Sequence, residues 1–231
     1  MIASALWDDG TNGVAEVGDE LLAGFESRDG ADAAVSAHGG AVEAVDPTTW
    51  AQQETASVAI GGTELTLEVG TAFGHGGHPT TALVLDTLAT EAQRSPLPTV
   101  LDVGCGTGVL SLAAAVLGAT SVVGVDIDPA AVAIAERNIG RNDLDPGLIS
   151  FATTPIADIA GRAARFDLVV ANILLAEIRP LAPSIAACVG DRLILSGSLV
   201  EQRDELVRLF PTLSVVGESE ADGWLCLILS T

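Results

Sequence analysis

The chain has 231 residues and carries 31 Asp and Glu against 10 basic side chains, all arginine, for a net charge of −21. That balance argues against nucleic acid as a direct partner, and the length suits one α/β domain with a small accessory module. Cys105, Cys188 and Cys226 are odd in number, widely spaced and set among apolar residues. They read as reduced core residues, not as a disulfide framework or metal knuckle.

Nearly half of the residues, 48%, are hydrophobic, largely Ala, Val and Leu, with 3% aromatic and no tyrosine. Such a composition fits helices packed on a Val/Leu-rich parallel sheet. The apolar stretch 109–125 is interrupted by Gly118, Thr120, Ser121 and Gly124 and closed by Asp126, so it reads as a helix, a turn and a strand instead of a membrane span. The first residues turn acidic too early for a secretory leader, and the expectation is a soluble cytoplasmic protein without a membrane partner. Residues 1–60 hold eleven acids against Arg28 alone. This is either a solvated acidic face or a surface that steers a cationic partner.

In chain order, the pattern predicts a short helix at Ala5-Leu6-Trp7, paired strands at 13–17 and 21–25, a helix at 29–38 and a strand at 41–45. Asp29 and Asp32 complement the start of that helix, and Gly39-Gly40 end it. Together these form a small α+β module, residues 1–46. Residues 47–70 make a linker, opened by Pro47 and Trp50, and a hairpin in which Val58 and Ile60, then Leu65, Leu67 and Val69, alternate around Gly61-Gly62. A third region, 71–231, opens with the glycine-rich loop 71–78 and a helix starting at Pro79. Strands and helices then alternate: 99–103, 109–117, 121–126, 129–138, 149–152, 166–171, 173–187 and 192–196. That alternation implies a doubly wound, mainly parallel sheet. Residues 213–216 and 224–229, joined through 218–223, fit a terminal hairpin at the sheet edge.

Val100-Leu101-Asp102-Val103-Gly104-Cys105-Gly106-Thr107-Gly108 is the stretch where chemistry concentrates. A β-branched run ends in alternating glycines, which permit positive φ and let backbone approach a ligand at the strand's C-terminal end. The spacing is G-x-G-x-G, with Val109 where the dinucleotide fingerprint has its third glycine. Twenty-two residues after Gly104, a second strand ends in Asp126, whose carboxylate can accept from both hydroxyls of a ribose. The pair indicates a nucleoside without a diphosphate, and S-adenosylmethionine fits. Alone, the glycines are equally compatible with an ordinary tight turn. Asn172 ends another strand and offers a donor and an acceptor at the sheet rim, or a helix cap. His75 and His78 form H-x-x-H, but His38 is the one other histidine, and zinc sites normally take three or four protein ligands; no metal is expected. Trp50 and Trp224 fit packing better than an acceptor pocket.

The loop Ala72-Phe73-Gly74 with Gly76 and His78-Pro79-Thr80-Thr81, the turn Asp102 to Gly108, Val125-Asp126-Ile127-Asp128-Pro129, Ala171-Asn172-Ile173-Leu174, Leu195-Ser196-Gly197 and Gly223-Trp224 resemble the ribosomal protein L11 methyltransferase family. The resemblance covers essentially the whole chain. It implies a seven-stranded, Rossmann-like class I methyltransferase sheet, S-adenosylmethionine as cofactor, and amino groups of ribosomal protein L11 as acceptor. It places cofactor contacts at Thr81, Gly104, Asp126 and Asn172, with Phe73 close by, and Asp102 and Gly106 of the same turn are expected to be cofactor-binding with them. Asn172 is the residue expected to orient the acceptor amine. The first module resembles that family's substrate-recognition domain without its opening strand. His75 and Gly77 stand where threonines are usual, Glu68-Val69-Gly70 replaces an aspartate-proline-glycine, and the linker after Trp50 is short. Those departures leave two alternatives open: a different protein or a small molecule as acceptor, or a non-catalytic cofactor-binding module.

Overall fold

Alternate residues of the central strands face two different apolar cores, and the helices of the second unit that pack on the sheet divide between its two sides. The computed structural model describes residues 11, 13–17, 20–25, 27–42, 55–69 and 76–231. The chain divides into two compact units, Met1–Trp50 and Ala51–Thr231.

In the first unit, β1 (Gly13–Val17) and β2 (Glu20–Gly24) pair antiparallel, with Gly13 opposite Gly24. Helix α1 (Arg28–His38) begins at Ser27, whose Oγ accepts from Gly30 N at 3.2 Å, and stops at Gly39, φ 81°. Ser27 supplies the N-cap, and Gly39, at a positive φ that glycine adopts without steric cost, ends the helix with its N–H donating to Val35 O. Ala41 and Val42 are irregular; the rest of the strand expected at 41–45, the helix at Ala5-Leu6-Trp7 and Trp50 lie outside the described residues.

The second unit opens with the hairpin β3 (Thr55–Ile60) and β4 (Thr63–Glu68). Gly61 and Gly62 have φ 58° and 82°, the doubly left-handed turn whose twist matches paired strands. There follow α2 (Pro79–Arg94), β5 (Thr99–Val103), α3 (Val109–Val116), β6 (Ser121–Val125), α4 (Pro129–Arg141), β7 (Ile149–Ala152), α5 (Ile156–Gly161), β8 (Phe166–Asn172), α6 (Leu175–Cys188), β9 (Val189–Leu199), α7 (Arg203–Arg208), β10 (Ser214–Ala221) and β11 (Trp224–Ser230). Seven strands form one sheet in the order β10-β11-β9-β8-β5-β6-β7, parallel from β9 to β7 and antiparallel at β11 and β10.

Val100, Val122, Val170 and Ile194 turn to one face, where they meet Val84 and Leu88 of α2, Leu112 of α3, Ala135 of α4 and the hairpin's Leu65 and Leu67. Leu101, Val169, Leu193 and Leu195 turn to the other, against Ile159 of α5, Ile178 and Ile185 of α6, and Leu206 of α7. Period-two alternation with apolar residues on both faces is what a sheet covered on both sides requires. Cys105, Cys188 and Cys226 are free and buried. No described helix is long and apolar enough to cross a membrane.

The elements depart from expectation in length more than in kind. Helix α4 runs on to Arg141, β9 spans Val189–Leu199, and α6 starts at Leu175 instead of Ile173. The short helices α5 and α7, six residues each, were not expected. In the terminal hairpin Glu218-Ser219-Glu220 is strand, because the reversal needs only Asp222 and Gly223, φ 51° and 80°.

Candidate functional site at the strand ends

The order of strands reverses at β5: β6 and β7 are laid down on one side of it, β8 and β9 on the other. Open α/β sheets bind ligands at such a switch point, beyond the carboxyl ends of the strands. The ends of β5, β6 and β8 bring together the glycine turn, Asp126 and Asn172.

Gly104, Gly106 and Gly108 have φ of 72°, 53° and 81°, a region that side chains rarely adopt. At Gly104 the room that a Cβ would need is occupied by Ile173 Cγ2, 2.3 Å from its ideal position, and at Gly108 by Phe151 Cζ at 2.8 Å and Ala135 Cβ at 3.0 Å. At these two positions the missing Cβ lets protein side chains pack against the turn. The same Ile173 presents its carbonyl oxygen 2.4 Å from where a Cβ would stand on Gly197, φ 84°. Ile173, between strand β8 and helix α6, thus packs against the Gly104 turn and against Gly197 within β9.

The turn is pinned by its own backbone and by β6. Gly104 N and Cys105 N both donate to Val125 O, at 2.8 and 3.0 Å, and Gly108 N donates to Cys105 O at 2.8 Å. Gly106 N donates to Asp126 Oδ2 at 2.9 Å, and Asp128 N to Asp126 Oδ1 at 3.0 Å. A carboxylate offers about four lone-pair sites, so each oxygen keeps one for a further donor. Asp128 caps α4 by accepting from Ala130 N at 2.8 Å, with Pro129 in the first turn. Between the two acids stands Ile127, 92% exposed. Sequence reasoning passed over it; an isolated isoleucine after a strand-end acid was the available signal.

Asp102 is buried beneath the turn. Its Oδ2 accepts from Ser111 Oγ at 2.7 Å, while Oδ1 has no partner in the structure. Burial, reinforced by the charge of Asp126 and opposed by the Ser111 hydrogen bond, pushes its carboxyl up from 3.8 to about 6. A carboxyl whose folded pKa is raised makes the native state hold the extra proton between those two values. Its contribution to stability is therefore present at low pH and lost as pH rises through about 6. We expect the wild type to lose about 1 kcal/mol relative to Asp102→Asn between pH 5 and 7. Urea denaturation of both proteins across that range checks it; parallel curves remove Asp102 as the source. Burial, with the charges of Asp102 and Asp126, also lifts the Cys105 thiol above its ordinary range, so it is no nucleophile at neutral pH.

Asn172 is the last residue of β8 and is buried. It caps no helix: the cap of α6 is Leu174, whose N–H donates to Glu177 Oε2 at 3.0 Å. Asn172 Nδ2 lies 3.5 Å from the hydroxyl of Thr81, in the first turn of α2, and Asn172 Oδ1 is buried without a partner. Buried acceptors are nearly always satisfied, and this one belongs to a strand end that faces the crevice. His78 caps α2, its Nδ1 accepting from Thr80 N at 3.3 Å, and its ring meets Trp224 edge-on at 5.1 Å. Phe73 and His75 lie outside the described residues. Among the described residues no group of His, Cys, Asp and Glu is placed to hold a metal ion. A cavity of about 440 Å³ beside β7, lined by Glu136, Leu144, Ile149 and Phe151 among others, includes none of the candidate residues.

Residues 45–231 match the sequence profile of the family described as ribosomal protein L11 methyltransferase. The protein of that name from Dechloromonas aromatica is 45% identical over 166 residues, 71% of this chain and 53% of the relative. A crystal structure of ribosomal protein L11 methylase from Lactobacillus delbrueckii subsp. bulgaricus superposes with a TM-score of 0.61 at 32% identity, covering 71% of this chain and 83% of that one. Magnesium protoporphyrin IX methyltransferase from Synechocystis PCC 6803, solved with bound SAM, shares the fold at a TM-score of 0.52 and 22% identity, over 65% of this chain and 76% of that one. The chain spans about half the length of the curated relatives it matches.

Proposed function

Because the chain belongs to the ribosomal protein L11 methyltransferase family, we propose that it transfers methyl groups from S-adenosylmethionine to amino groups of a protein, ribosomal protein L11 in particular. The observation that carries the reading is the convergence, at one switch point, of a strand-end carboxylate with spare lone pairs and a buried amide oxygen without a partner.

These residues fit the cofactor. Asp126 can accept from two ribose hydroxyls, the exposed Ile127 offers an apolar surface to an adenine ring, and the backbone of Gly104 and Gly106 lies alongside. Thr81 and Phe73 complete the set implied by the family. When bound, S-adenosylmethionine supplies a methyl group activated by a sulphonium for in-line attack. The chain's part is to hold an amine in line, which proximity and orientation accomplish without a covalent enzyme intermediate. A lysine amine, with a reference pKa near 10.4, is neutral in about 4 of 10,000 molecules at pH 7, a handicap of about 4.6 kcal/mol. Desolvation at the crevice lowers that pKa, and the open Oδ1 of Asn172 can accept an N–H and turn the amine's lone pair toward the methyl group. We read residues 1–46 as the module that recognises the protein substrate, 47–70 as linker and hairpin, and 71–231 as the cofactor-binding domain.

The test is direct. Purified protein is incubated with methyl-labelled S-adenosylmethionine and ribosomal proteins from cells lacking the gene. We expect label on amino groups of L11, located by mass spectrometry. Label confined to another protein or to a small molecule overturns the acceptor, and no transfer to any fraction overturns the activity.

A further inference from the structure

We propose that Asn138 is a positioning residue for the cofactor turn, coupling the shape of that turn to the β3–β4 hairpin; the inference rests on the cofactor reading above. Asn138 is completely buried in α4. Its Oδ1 accepts from Glu68 N at 2.7 Å, and its Nδ2 donates to Glu68 O at 3.0 Å and to Thr107 O at 2.9 Å. Both amide protons are used, and the Glu68 N–H requires the oxygen on its own side, so the orientation of the amide is fixed by its partners.

One helical turn later Asn142 repeats half of this arrangement: Oδ1 accepts from Thr66 N at 2.7 Å and Nδ2 donates to Thr66 O at 2.9 Å. Four helical residues advance about 6 Å and two strand residues about 6.6 Å. Amides four residues apart, one within α4 and one at its C-cap, therefore meet alternate residues of β4 and stand in for a neighbouring strand. Arg137 and Arg141 then grip the Glu68 carboxylate at 2.6 and 3.0 Å, holding it down at about 2. Asn142, Arg137 and Arg141 already hold the hairpin to α4. Asn138 does something they do not: it reaches the carbonyl of Thr107.

That carbonyl lies within the turn, one residue after Gly106, whose N–H meets Asp126, and one before the left-handed Gly108. Withdrawing the Asn138 amide removes its hydrogen bond to a carbonyl inside a stretch with three positive-φ glycines. The peptide plane that carries this carbonyl is held on its N–H side by Gly108 N donating to Cys105 O, so the Asn138 bond is its second restraint, on the carbonyl side. Glu68 also ends β4 just before the loop that returns the chain to α2 and Thr81. One side chain therefore locks the turn and the root of that loop together, although the three segments are 70 and 31 residues apart in sequence.

Calorimetric titration with S-adenosylhomocysteine, run on Asn138→Ala, Asn138→Asp and Asn142→Ala, separates positioning from general loosening of the hairpin. We expect Kd to rise about tenfold or more in both Asn138 variants and to stay within about twofold in Asn142→Ala, although thermal stability falls in all three. In turnover, KM for the cofactor rises while kcat at saturation holds within about twofold. Asn138→Asp keeps the volume and the acceptor for Glu68 N, and it carries the test where Asn138→Ala does not fold. Wild-type affinity in the Asn138 variants, or an equal loss in Asn142→Ala, overturns the inference alone. Absence of binding by the wild type overturns the cofactor reading and this inference with it.

Discussion

Asp126→Ala is expected to weaken S-adenosylhomocysteine binding by about 100-fold or more. Two hydrogen bonds from ribose hydroxyls to an ionised carboxylate contribute about 1.5–3 kcal/mol each, and about 2.7 kcal/mol is a factor of 100 in Kd. The substitution also leaves Gly106 N and Asp128 N without the oxygens they use now, so the turn loosens as the ligand contacts vanish. Asp126→Asn separates the two contributions. It retains one acceptor oxygen and the shape but loses the charge, and an intermediate affinity is expected. Calorimetric titration of the three proteins decides it; an Asp126→Ala protein that binds as tightly as the wild type removes this residue from the cofactor site.

The second large effect falls on turnover. Asn172→Ala should lower kcat by about 100-fold or more, the size of contribution typical of a group that positions or exchanges a proton in the transition state. Its effect on stability should be within about 1 kcal/mol. The reason is physical: Asn172 makes one long contact to Thr81 and carries a buried oxygen with no partner, so the alanine variant loses little and sheds an unsatisfied atom. A buried side chain whose removal harms catalysis but not folding is held for chemistry. Single-turnover kinetics with the methyl acceptor and a urea melt of the same protein provide the two readings. Unchanged kcat, or a loss of stability that accounts for lost activity, ends the assignment.

Much of the frame could be read from neighbours along the chain. β5, β7 and the starts of α3 and α4 coincide with expectation because their signals are local: a β-branched run ending in glycine, Asp128 before Pro129, and apolar residues recurring at helical spacing. Asp126 and Asn172 were legible for the same reason, each being a polar residue that ends an apolar strand. The short helices α5 and α7 escaped because six residues hold too little periodicity, and β10 was read short because an edge strand tolerates Glu218 and Glu220 on its exposed side.

The sequence by itself thus determined a doubly wound frame and the acid, amide and glycines at its rim. Tertiary structure alone decided what surrounds them: that Ile173 fills the space over Gly104, that Asp102 is buried with one oxygen unpaired, and that Asn138 joins Glu68 to Thr107. Secondary structure follows from residues within one turn or one strand step of each other, whereas burial and hydrogen-bond partnership depend on segments that meet only once the chain has closed on itself.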